Sequence, residues 1–129
     1  MNPFAIKSPK EGRIERKDGA VHVYIGAIRS HFTPDNLEGI TVGETVYFHM
    51  TNLEQDWDIP HGFAVMGNQN SEMLVMPGET CTLKWVPDRA GIFPMYCSDF
   101  CSALHQEMQG YIRVSEKGAS VPLTATGGN

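Results

Sequence analysis

The chain has 129 residues, 41% of them apolar and 19% charged, with a formal net charge of −5. That is enough for one core and too little for a second, and no apolar run approaches the roughly 20 residues of a membrane-spanning helix, so no membrane contact is expected. The acidic balance argues against nucleic acid and suits a basic protein partner.

Residues 1–19 are polar and interrupted by Pro3, Pro9, Gly12 and Gly19, the pattern of an N-terminal arm or interdomain linker. They hold five bases, Lys7, Lys10, Arg13, Arg16 and Lys17; after residue 17, 13 acids face 5 bases. The first residues lack a charged segment followed by an apolar stretch, so no signal peptide is expected. That leaves a cytoplasmic protein, or a mature or excised piece of an exported one.

From residue 20 to 116 the pattern is that of a domain. Val21, Val23 and Ile25 alternate with His22, Tyr24 and Gly26, a strand with one buried face. Phe32-Thr33-Pro34-Asp35-Asn36 marks a turn. Ile40 and Val42, then Val46, Phe48 and Met50, continue the alternation. Thr51 to Pro60 reads as a polar loop, Phe63 and Val65 as a short strand, and Met73–Met76 as another. Cys81, Leu83 and Trp85 share one strand face, Ile92–Tyr96 is a strand, and Tyr111–Val114 closes the set with Ile112 and Val114 on one side. A single short helix fits within Ser102–Met108. Residues 117–129 read as a flexible tail. Seven or eight short strands with turns about every ten residues predict an all-β Greek-key sandwich.

Three cysteines make an odd count, unsuited to a disulfide scaffold. Cys81 falls on the Leu83/Trp85 face and reads as a buried structural thiol. His22, His31 and His49 have no ligand spacing around them and read as structural or solvent-facing.

The chemistry concentrates between Tyr96 and Gly110. Cys97, Cys101, His105 and Met108 place two thiols, an imidazole and a thioether within twelve residues. These soft and borderline donors suit copper, whereas Mg²⁺ and Ca²⁺ favour carboxylates and carbonyls. Other readings compete. The spacing is also that of an apolar helix stripe, although little more than three turns fit between the flanking strands. A Cys97–Cys101 disulfide is geometrically possible but leaves His105 and Met108 unexplained. Zinc held by His61, Cys97, Cys101 and His105 has the right count, but structural zinc has no use for methionine.

Copper accounts for the whole set. Cys101-x₃-His105-x₂-Met108 with an upstream histidine, His61 of His61-Gly62-Phe63, is the two-His, one-Cys, weak-Met ligand set of a blue-copper site. Cys97 is the extra member: two thiolates can bridge two coppers, each with one imidazole, while Met108 and the backbone carbonyl of Asp99 complete the coordination.

Cys97-x₃-Cys101-x₃-His105-x₂-Met108 resembles the copper loop of CuA domains, found in nitrous-oxide reductase and in subunit II of haem-copper oxidases. The stretch Phe100-Cys101-Ser102-Ala103-Leu104-His105-Gln106-Glu107-Met108, together with His61-Gly62-Phe63, Phe32-Thr33-Pro34 and Thr51-Asn52-Leu53-Glu54, is more similar to the reductase. Asp99 stands where some reductases carry tryptophan. The resemblance implies a cupredoxin-like Greek-key β-sandwich with its metal-binding loop between the last two strands. It implies His61, Cys97, Asp99 (through its carbonyl), Cys101, His105 and Met108 as ligands of two copper ions in a mixed-valence CuA centre. It further implies a periplasmic electron-input domain with no catalytic centre of its own, fed by a donor such as cytochrome c. The recipient would be the catalytic propeller of the parent enzyme, arranged as a head-to-tail homodimer. Glu54, Asp56, Asp58, Asp99 and Glu107 are the acids expected to face the donor, with Trp57 either a docking contact or core. The rival readings are an oxidase subunit II domain and a copper carrier.

Overall fold

A computed structural model describes residues 2–28, 31–55, 60–66, 72–97 and 108–128. The strands among them, in chain order, are β1 (Arg13–Lys17), β2 (Ala20–Ile28), β3 (His31–Thr33), β4 (Asn36–Thr41), β5 (Val46–Asn52), β6 (His61–Val65), β7 (Glu72–Val75), β8 (Thr80–Trp85), β9 (Gly91–Tyr96), β10 (Gln109–Ser115) and β11 (Thr124–Thr126). They form two sheets. One runs β1-β2-β5-β8 with β3 beside β2; the other runs β11-β4-β10-β9-β6-β7. The pairs β2/β5 and β4/β10 are parallel, as expected when the chain crosses between layers rather than turning back in a hairpin.

The alternation in the sequence is the cause of this layering. Val21, Val23 and Ile25 of β2, Val46, Phe48 and Met50 of β5, and Leu83 and Trp85 of β8 all point inward and are buried. Across from them lie Phe63 and Val65 of β6, Phe93 and Met95 of β9, and Ile112 and Val114 of β10. Aromatic rings join the layers: Phe48 lies 5.3 Å from Phe63, and Trp85 meets Phe93 edge-on at 5.5 Å. Cys81 shares the inward face but is only half-buried, with its thiol pushed above the ordinary range by burial and by nearby Glu79.

Three of the eleven strands, β1, β3 and β11, were not anticipated. They are short and polar, and they pair at sheet edges or beside them, where no buried face imposes an alternating pattern. Residues expected to form a loose arm therefore supply a strand, and Ile6 ahead of it is buried. The tail expected to be flexible pairs β11 with β4, and the Asp35 N–H donates to the Thr126 carbonyl at 3.0 Å. Among the described residues the expected copper loop thus lies between β9 and β10, with the three-residue β11 following. The proposed helical piece lies outside the described residues up to Met108.

Candidate metal centre

Strand register brings the described ligand candidates together. In β9/β10, Ile112 pairs with Phe93 and Gly110 with Met95, so these residues share the inner face. Two residues further along, Met108 falls on the same face opposite Cys97, where the Cys97 N–H donates to the Met108 carbonyl at 3.1 Å. In β6/β9, Val65 pairs with Met95. His61 has the same parity as Val65 and therefore points to the same side, at the same end of the sheet. All three are buried: His61 and Met108 at 0% exposure and Cys97 at 5%. Gly110 permits the approach, since a side chain there would run into the Asp35 carbonyl oxygen and come within 2.6 Å of Met95 Cε.

The other three candidates, Asp99, Cys101 and His105, lie outside the described residues. Among the described residues no three His, Cys, Asp or Glu side chains gather into a metal-binding group. The donors that are described nevertheless fit copper: an imidazole, a cysteine sulfur and a thioether, buried at one end of the core. Cys97 is disulfide-bonded in this structure, so it must be reduced before its thiolate can serve a metal.

His61 is held from behind. Its Nε2 lies 2.9 Å from Glu54 Oε2, and the Glu54 side chain is only 8% exposed. An ionised carboxylate only accepts hydrogen bonds, so opposite one His61 Nε2 is the donor, and in the neutral form of that ring the lone pair lies on Nδ1. A metal would be taken through Nδ1, in a carboxylate–histidine–metal arrangement that fixes tautomer and ring orientation. Glu54 is itself placed by the buried Asn52, whose Oδ1 accepts the Glu54 N–H at 2.9 Å and whose Nδ2 donates to the Val75 carbonyl at 3.0 Å. Val75 is the residue paired with His61, so Asn52 braces both sides of the imidazole.

This corrects one expectation. Glu54 was expected to face a donor protein, but it faces His61, because an imidazole donor inside the sandwich offers it more than the surface does. Asp56, Trp57, Asp58, Asp99 and Glu107 lie outside the described residues. The role of Asn52 was missed, although it continues the inward parity of Val46, Phe48 and Met50. Glu54→Gln is expected to weaken copper affinity about 10- to 100-fold while leaving the fold intact. Chelator competition beside circular dichroism will show it, and unchanged affinity would remove Glu54 from the support of the site.

The chain matches no family model. It is 37% identical over 107 residues to nitrous-oxide reductase of Cupriavidus necator, covering 83% of this chain and 16% of that protein. It is 30% identical over 108 residues to cytochrome c oxidase subunit 2 of Thermus thermophilus, covering 84% of this chain and 76% of that protein. The chain belongs to the CuA-domain family of the cupredoxin superfamily. Solved structures agree on the fold: a haem-copper terminal oxidase dimer matches with TM-score 0.68 and 24% identity over 88% of this chain and 74% of that one. Auracyanin B matches with TM-score 0.58 and 11% identity over 81% and 95%. Membership of this family implies copper binding and electron transfer. It spans about a sixth of the nitrous-oxide reductases it matches, so the matched region is one part of those larger proteins, and the oxidase relative is by its name one subunit of a larger enzyme.

Proposed function

We propose that this CuA-family domain relays single electrons through two copper ions, within a nitrous-oxide reductase that converts N₂O to N₂. In this reading the ions are held by His61, Cys97, Cys101, His105, Met108 and the carbonyl of Asp99. The observation that carries it is the convergence of His61, Cys97 and Met108, from three strands, on one buried end of the core. A copper pair held there would supply one-electron transfer with little change in its bonds, because the charge would be spread over both ions.

The chain's own residues supply the rest. Glu54 and Asn52 hold His61 in place, and the packed β-sandwich keeps the donors from moving between redox states. Burial of His61, Cys97 and Met108 excludes water, in keeping with electron transfer rather than substrate binding. The donor is a small periplasmic protein such as a cytochrome c, and the recipient is the catalytic copper centre of the partner subunit in a head-to-tail homodimer. The acidic balance after residue 17 suits a basic donor.

A second reading has its own support: the chain covers 76% of an oxidase subunit 2 but 16% of the reductase. The higher identity and the reductase-like Phe100–Met108 stretch favour the first. The decisive measurement is copper analysis with an EPR spectrum of protein reduced and then loaded with copper. Two coppers sharing one unpaired electron are expected; one copper per chain would end the proposal. Retention of the metal against a chelator separates the centre from a copper carrier. Oxidation of a reduced donor by N₂O but not by O₂, in the whole parent enzyme, separates reductase from oxidase.

A further inference from the structure

The N-terminal segment lies across the outer face of the β1-β2-β5-β8 sheet, away from the metal centre. Phe4 stacks face to face on His49, with ring centroids 4.0 Å apart and planes 5° apart. The Ile6 N–H donates to Thr51 Oγ1 at 3.1 Å, and Asn2 Nδ2 donates to the Thr80 carbonyl at 3.1 Å. Under this strap His22 Nδ1 and His49 Nε2 are 2.8 Å apart, and His49 Nδ1 is 2.8 Å from Thr82 Oγ1. The two imidazole planes differ by 14°. Nearly parallel rings bring nitrogens this close only edge to edge, so the contact is an N–H···N hydrogen bond.

We propose that residues 2–6 form a proton-released strap, latched by the His22–His49 pair beneath Phe4. The bond needs one nitrogen with a proton and one with a lone pair. With His49 Nδ1–H donating to Thr82, His49 Nε2 accepts from His22 Nδ1–H. One extra proton fits on His22 Nε2 without disturbing this bond. A second must go to His49 Nε2, where it sets N–H against N–H at 2.8 Å. That proton can be accommodated only by separating the rings and admitting water, which lifts Phe4.

The charged and titratable groups facing the pair are few. Glu15 of β1 registers opposite His22. Arg13 of β1 lies over the Tyr24 ring at 3.9 Å. Tyr47 of β5 stacks beside His22, Lys84 of β8 pairs with Tyr47, and Lys7 follows the strap. Glu15 is the one acid among them, set against the cations Arg13, Lys84 and Lys7.

Burial first, and the charge of His22 second, hold His49 down to about 4 from its ordinary 6.5, with Glu15 opposing them. With the strap open His49 regains its ordinary affinity, so the open form binds more protons between these values. The latch therefore holds fully above about pH 6.5 and weakens as pH falls toward 4.

The test is amide hydrogen exchange by NMR at pH 7 and pH 5, corrected for intrinsic rates. Protection of the Ile6 amide should fall roughly tenfold while that of Phe48, inside β5, stays constant. His49→Gln should flatten the Ile6 response. Phe4→Ala alters only the strap and should leave Ile6 unprotected at both pH values, so the test stands even if the His49 variant fails to fold. Constant Ile6 protection in the wild type, a parallel loss at Phe48, an undiminished pH response in His49→Gln, or normal Ile6 protection in Phe4→Ala would each overturn the latch.

Discussion

Cys97→Ser is expected to halve the copper content of the reduced and loaded domain and to convert its spectrum to that of a single-copper site. The serine hydroxyl is a poor donor for a soft metal, so the second sulfur bridge should be lost. His61, Cys101, His105 and Met108 would remain as a mononuclear set. Because Cys97 sits at 5% exposure at the end of β9, the substitution changes little volume and the fold should survive, which circular dichroism will establish. The readouts are metal analysis and the EPR hyperfine pattern, which should report one copper nucleus where the parent protein reports two. Retention of both ions with an unchanged spectrum would show that Cys97 is not a bridge.

Phe63→Ala is expected to be the most damaging core substitution for both stability and the metal centre. Phe63 is fully buried, stands edge-on to Phe32 at 5.6 Å, and meets Phe48 of the other sheet at 5.3 Å. Its loss opens a cavity between the layers at a cost of about 3–5 kcal/mol. The total stability of such a domain is about 5–15 kcal/mol, so about a fifth or more would go, visible as a lower urea midpoint. Phe63 also lies two residues from His61 on the same face of β6. Relaxation into the cavity should therefore loosen the imidazole and speed copper loss to a chelator. A change below about 1 kcal/mol would mean that neighbouring side chains collapse into the gap.

Much of this architecture could be read from local pattern. The inward faces of β2, β5, β8 and β10 follow from alternation, because a strand packed on one side buries every second residue. Short polar strands carry no such signal, and β1, β3 and β11 were missed for that reason. His49, read as structural or solvent-facing, is the structural case, and the reason lies in the tertiary structure. By parity it belongs on the outer face, yet it is 2% exposed, because Phe4, distant in sequence, is laid over it. Glu54 looked like one more surface acid; the Asn52 side chain, which accepts its N–H, and the His61 imidazole hold it inward.

The donor types and their spacing, two cysteines, a histidine and a methionine within twelve residues, were set by the sequence alone. So were the strands that flank them, since both depend on neighbours along the chain. The tertiary structure decided that His61, from a different strand, meets Cys97 and Met108 on one face, that Asn52 and Glu54 stand behind it, and that the N-terminal strap seals a histidine pair on the far side. Each of these rests on contacts between residues far apart in sequence. Such contacts arise from strand register and layer packing, which no local spacing encodes.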